Sequence, residues 1–174
     1  MQRLFLLLSF FLIGCVEQQW SNSPEIWEKP EQVFLCTHIP ERQFFNAEAA
    51  SEQWNKAIGN WRHINVVRAE EAFNISCDYQ MYEVQESFDG LKTTLAWADK
   101  IGGDTIYLVK NRYESFPIGI MMHEIGHVLG AQHFSETLMH PQKDFIYYAC
   151  PDHTTVSQVA AWNHVNLAGL RWCK

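Results

Sequence analysis

Apolar positions along this chain change their period several times, and each change marks an element. Residues 33–39 (VFLCTHI) form a short apolar run stopped by Pro40, the pattern of a strand. From residue 46 to residue 60 the period is helical. Ala47, Ala50, Trp54, Ala57, Ile58 and Trp61 recur on one face, with Asn46 placed to cap the start and Gly59 near the end. Residues 64–69 (INVVRA) and 75–84 (ISCDYQMYEV) are rich in β-branched and aromatic side chains and read as strands. After the Asp89-Gly90 turn, residues 93–98 (TTLAWA) and 105–110 (TIYLVK) read as two more strands, separated by Gly102-Gly103-Asp104. Pro117 suits a first helical turn, and residues 118–129 predict a second helix. A closing helix is expected over residues 155–168. Thr155 and Gln158 fit a capping box there, and Val159, Trp162, Val165 and Ala168 line one face.

Composition adds limits rather than elements. The 174 residues are 47% apolar and 14% aromatic, which describes one folded domain with a real core. A net charge of −7 lacks the basic footprint of a nucleic-acid binder, so no such partner is expected. No repeat or low-complexity run stands out, and a monomer is the expectation.

The N-terminus follows different rules. Arg3 precedes an apolar run, residues 4–13, that is too short to span a bilayer but right for the core of an export signal. Its end, Leu12-Ile13-Gly14-Cys15, resembles the bacterial lipobox, in which the cysteine is acylated and becomes the mature N-terminus; an ordinary signal peptide is the alternative. The chain then divides into a lipoprotein signal peptide (1–14), a lipidated N-terminus and polar tether (15–32) and a folded domain (33–174). That resemblance implies an exported protein held by lipid on a bacterial membrane, facing the periplasm or the exterior. With Cys15 set aside, four cysteines remain, and an even number in an exported chain suggests two disulfides, with three connectivities open. None of the four forms the close pair that a cysteine zinc site needs.

Residues 123–133, HEIGHVLGAQH, carry the chemistry. His123 and His127 are four apart, about 400° on a helix, so both rings leave the same face and can share one ion. Glu124 stands one step round, beside that ion. On a continuing helix His133 would lie roughly 15 Å from His123, far beyond ligands that sit ~2 Å from a zinc ion. The helix must therefore stop and the chain turn back, and Gly130, free to adopt a left-handed conformation, stands where the stop is needed. His38, His63, His140, His153 and His164 show no such pattern.

HEIGHVLGAQH resembles the HExxHxxGxxH signature of the metzincin metallopeptidases. Ser135 to Pro141 (SETLMHP) resembles the clan's methionine turn, and residues 95–108 (LAWADKIGGDTIYL) look like the matrixin edge strand and its following turn. The resemblance implies an α+β, zincin-like fold. A mixed, twisted sheet of about five strands with two helices would precede a small irregular C-terminal subdomain and closing helix. It implies one catalytic Zn²⁺ on His123, His127 and His133, with Glu124 as general base in metalloendopeptidase chemistry and Met139 as an apolar floor. A polypeptide substrate would pair with the edge strand at Thr94, Leu95, Ala96 and Trp97. Phe145, Tyr147 and Tyr148 would wall the pocket, and one of the tyrosines is a candidate to assist the transition state. Family geometry further implies disulfides Cys36–Cys77 and Cys150–Cys173. Trp97 replaces a histidine that matrixins use for a second zinc, and no acid-rich calcium loop is evident, so neither structural zinc nor calcium is expected. Two rivals share the fold: a catalytically silent zinc-binding surface lipoprotein that serves as a protein-binding module, and a peptidase acting on cell-wall peptides.

Overall fold

The computed structural model describes Trp20 and residues 29–90, 93–110, 118–141 and 150–173. The fold is α+β. Five strands form one mixed sheet in the order β2-β1-β3-β5-β4, built from β1 (Glu31–His38), β2 (Arg62–Arg68), β3 (Tyr79–Val84), β4 (Ala96–Ala98) and β5 (Thr105–Val109). The first four neighbours run parallel, while β4 pairs antiparallel with β5 at the edge. Helices α1 (Glu41–Ile58) and α2 (Ile118–Val128) cover the face that carries Val33, Leu35, Met81, Ile106 and Leu108, and α3 (His153–Trp162) closes the C-terminal part.

The core explains how α2 is held. Trp54 of α1 is fully buried and its indole N–H donates to the Met122 carbonyl at 2.9 Å, satisfying the one polar atom of a large apolar ring. Met121, Met122 and Ile125 bury the other flank of α2. Gly126 is where the helix can be approached closely. A Cβ there would lie 2.6 Å from the Met139 sulfur and 3.2 Å from the Trp54 ring.

The opposite face of the sheet carries an aromatic row in register across four strands. His38 stacks on Tyr82 (centroids 4.4 Å apart), Tyr82 on Tyr107 (6.1 Å) and Tyr107 on Trp97 (5.0 Å), with Phe88 beside Trp97 at 5.3 Å. Cross-strand aromatic pairs each contribute roughly 0.2–1 kcal/mol. They matter most at β4, whose three residues form few ladder bonds of their own.

Several boundaries differ from those read in the sequence. Helix α1 starts at Glu41, not Asn46: Pro40 precedes the first turn, where a missing N–H costs nothing, and its carbonyl accepts from the Gln43 and Phe44 amides. The extra turn buries Phe44. Strand β3 starts only at Tyr79, because Cys77 is bridged to Cys36 and the Asp78 carboxylate takes the Phe34 N–H at 2.8 Å. The edge strand is shorter than residues 93–98, although the Val109 N–H still reaches the Leu95 carbonyl. Helix α3 ends at Trp162, and its cap is Asp152, not Thr155. Trp20, expected in a free tether, makes an isolated antiparallel bridge to Cys173.

Disulfides join Cys36 to Cys77 and Cys150 to Cys173, which points to an oxidising, extracytoplasmic setting. The first closes a loop of 41 residues in sequence separation, worth about 4 kcal/mol by unfolded-chain entropy. Replacing both Cys36 and Cys77 by Ala is therefore expected to lower unfolding free energy by that order in urea titration. A loss below about 1 kcal/mol would mean that β1 and β3 are held without it. Among the described residues, no helix is long and apolar enough to cross a membrane. Cys15 lies outside the described residues, as do Phe145, Tyr147 and Tyr148.

Candidate metal centre

Helix α2 brings His123 and His127 to one face, and the chain then reverses through a glycine-dependent stop. Gly130 has φ +103°, its N–H donates to the His127 carbonyl at 3.0 Å, and the Ala131 N–H reaches back to the Gly126 carbonyl at 2.8 Å. These two bonds are the pattern of a Schellman motif. Three groups from α3 and its C-cap brace that end. The Asn163 amide donates to the Leu129 carbonyl at 2.8 Å, the Gln158 side chain accepts from the Gln132 N–H at 2.8 Å, and the Trp162 ring lies against Gly130 and Gly102. Gln158 thus steadies the residue before His133 instead of closing a capping box.

The reversal carries His133 back to its partners. Its Nε2 lies 3.3 Å from that of His123 and 3.1 Å from that of His127. Ligands ~2.05 Å from a tetrahedral zinc ion are about 3.3 Å from one another, so the spacing fits. Outer hydrogen bonds settle which nitrogen faces inward. His123 Nδ1 lies 2.9 Å from the Leu138 carbonyl, and His127 Nδ1 lies 2.9 Å from the Ala131 carbonyl. A carbonyl only accepts, so both Nδ1 atoms carry the proton and both Nε2 atoms present lone pairs to the same point. Lone pairs so converged call for a cation, and the cluster can hold a metal ion.

Burial sets the charge states in the same sense. It pushes His123 down to about 3, helped by His127 nearby, and pushes His127 down to about 4. His133 is lowered as well, by burial and then by His140. Glu124 moves the other way. Burial raises it to about 8, opposed by the Ala98 N–H, which donates to its carboxylate. Oε2 of Glu124 is buried with no hydrogen-bond partner among the described residues.

These shifts predict a pH optimum for the stability of the metal-free chain. Between about pH 4.5 and 6.5 the unfolded state protonates His123 and His127, which the fold keeps neutral, with His133 adding in the same direction, while the fold protonates one glutamate that the unfolded state does not. The unfolded state then binds the net extra proton and stability rises with pH. Above 6.5 only the Glu124 effect remains, and stability falls toward pH 8. Urea titrations across this range are expected to peak near pH 6.5, and Glu124→Gln is expected to remove the alkaline fall but not the acid one. A profile unchanged by Glu124→Gln would contradict this assignment.

An open cleft of about 980 Å³ runs between β4 and α2, with His123, Glu124, His127 and His133 along it. The edge strand faces it in a definite way. Leu95 and Asp99 turn their peptide groups toward β5, so by antiparallel alternation those of Ala96 and Ala98 turn toward the cleft. Ala98 spends its N–H on Glu124, and Ala96 presents both of its backbone groups. Of the residues read as a substrate edge, Ala96 and Trp97 lie in the strand and Leu95 extends it by one bond. The Thr94 hydroxyl instead donates to Asp89 at 2.9 Å. Met139 is fully buried beneath α2 against Gly126.

Three contributors were not anticipated: Asp152, the Leu138 carbonyl and the Ala98 N–H. An acid just before the closing helix was the only signal for Asp152. Backbone groups leave none.

No family model matches this chain, and no curated protein does. Among solved structures, a chain from a chaperone–substrate complex is similar at a TM-score of 0.47 with 13% identity. The match covers 72% of this chain and 29% of that one. Myroilysin is similar at a TM-score of 0.41 with 16% identity, over 62% of this chain and 52% of its own. The chain thus spans well under two thirds of either.

Proposed function

We propose that this chain is a zinc-dependent metalloendopeptidase of the metzincin type, exported and held on a bacterial membrane through a lipid on Cys15. The observation that carries the reading is the pair of oriented histidines. Two ring tautomers fixed by backbone carbonyls, with a third ring brought back by Gly130, aim nitrogen donors at one point beside a buried carboxyl. In this reading His123, His127 and His133 hold Zn²⁺. When bound, the ion supplies Lewis acidity that lowers the pKa of a water to about 7 and polarises a scissile carbonyl.

The remaining steps belong to the chain. Glu124 takes a proton from the attacking water on Oε2 and returns it to the leaving amine. The Ala98 N–H holds its other side in place. Ala96 offers one N–H and one carbonyl to an extended peptide, giving main-chain pairing that tolerates many sequences. Residues 1–14 act as the export signal, 15–32 as the lipidated tether and 33–174 as the catalytic domain. The two disulfides support an extracytoplasmic setting.

The test is cleavage of casein and of a mixed set of quenched peptides by the purified chain, with purified cell-wall fragments as a separate arm. Hydrolysis of polypeptides that stops with a chelator and returns with zinc is the expected result. Zinc held without turnover on any of these would favour a binding module, and turnover confined to the cell-wall fragments would redirect the substrate. For the anchor, mass spectrometry of the mature N-terminus is expected to find acylated Cys15.

A further inference from the structure

A capping residue normally uses one oxygen, and Asp152 uses two. Its Oδ1 accepts the Thr155 N–H at 2.9 Å, which caps α3. Oδ2 leaves the helix altogether and accepts the Leu138 N–H at 2.9 Å, with the Thr155 hydroxyl steadying it at 2.7 Å. Leu138 is fully buried, and its carbonyl is the group that receives the His123 Nδ1–H at 2.9 Å. The far side of the same residue is also fixed, since the Met139 N–H donates to the Thr137 hydroxyl at 3.1 Å. One carboxylate therefore ties the start of α3 to the residue that orients a metal-facing imidazole.

We infer that Asp152 is a positioning residue for the metal centre, acting on His123 through the backbone of Leu138. The inference rests on the reading of His123, His127 and His133 as metal ligands. A hydrogen bond to an ionised acceptor is shorter and roughly twice as strong as a neutral one, so Asp152 limits how far the Leu138 carbonyl can drift. Groups that hold a ligand's outer nitrogen in place are worth about 10–100-fold in metal affinity, and a group one residue further back is expected near the lower end.

The two jobs of Asp152 separate cleanly in one variant. Asn caps a helix about as well as Asp, but it has a single acceptor oxygen. In Asp152→Asn that oxygen can stay on the Thr155 N–H, which leaves an amide NH₂ facing the Leu138 N–H. Thr155→Val is the converse, removing the steadying hydroxyl while leaving both backbone bonds to Asp152. The experiment uses the full chain and measures zinc affinity by chelator competition, the visible spectrum with Co²⁺ in place of zinc, and the melting temperature of the metal-free form.

Asp152→Asn is expected to bind zinc about tenfold more weakly and to shift the Co²⁺ bands, with metal-free melting within a few degrees of wild type. Thr155→Val is expected to match wild type in zinc affinity. Wild-type affinity and bands in Asp152→Asn would overturn the inference while leaving the metal centre standing. So would an equal loss in Thr155→Val, which would assign the effect to the integrity of α3. A failure of Asp152→Asn to fold would also overturn it, making the carboxylate a structural anchor. Wild type that takes up no metal would instead remove the reading beneath it.

Discussion

On the proposed reading, Glu124→Gln is expected to lower peptide cleavage by about 10²–10⁴-fold while zinc binding is retained. Glutamine preserves the size and shape of the side chain and retains an oxygen to accept the Ala98 N–H, so the cleft between β4 and α2 should stay as it is. The lost function is proton exchange at Oε2, the buried oxygen with no partner among the described residues. His123 and His127 do not depend on that carboxyl for their outer hydrogen bonds, which run to the Leu138 and Ala131 carbonyls. Steady-state kinetics and metal analysis on the same samples give the answer. Full activity in Glu124→Gln would remove Glu124 from the mechanism, and loss of zinc with activity would make it a structural contributor.

Gly130→Ala should cost roughly 2–5 kcal/mol of stability, adding a left-handed backbone penalty of about 1–2 to an overpacking penalty of about 1–3. Both are visible at the site. The φ of +103° favours glycine, and an added Cβ would lie 2.2 Å from Cγ of Trp162. Since folded domains are stable by only about 5–15 kcal/mol, this is a large fraction. Zinc affinity should fall with it, because the same turn returns His133 to the other two rings. Trp162→Ala relieves only the packing part, so the double variant should be less destabilised than the sum of the two singles. Urea titration of the four proteins measures this. A Gly130→Ala cost below about 1 kcal/mol would mean that the chain can reverse by another route.

Much of this centre could be read from the sequence because its demands are local. Two histidines four apart on a helix must share a face, and a third at position 133 can join them only through a break. Gly130 meets that demand within the same eleven residues. The strands around it were also legible, since short runs rich in apolar, β-branched and aromatic residues, set off by Pro40 and by glycine turns, mark β1, β3 and β5.

What lay beyond reach depends on tertiary contact. Pro40 gives no sign that α1 begins beside it, because the burial of Phe44 that justifies the extra turn exists only in the fold. Thr155 and Gln158 match a capping pattern, yet Asp152 outcompetes Thr155 and Gln158 is drawn to the Gln132 backbone. Trp162 fits the apolar face of a longer helix, but its ring serves two glycines in other elements, Gly102 and Gly130. The support given by the Leu138 carbonyl and the Ala98 N–H has no side-chain signature at all.

The most direct test of the account is zinc K-edge X-ray absorption on the wild-type chain loaded with one equivalent of zinc. Three imidazole nitrogens and one light oxygen ligand at about 2.0–2.1 Å are predicted, with the imidazole pattern lost in His133→Ala. A sulfur shell near 2.3 Å, or no tightly held zinc, would contradict the assignment of His123, His127 and His133 as its ligands.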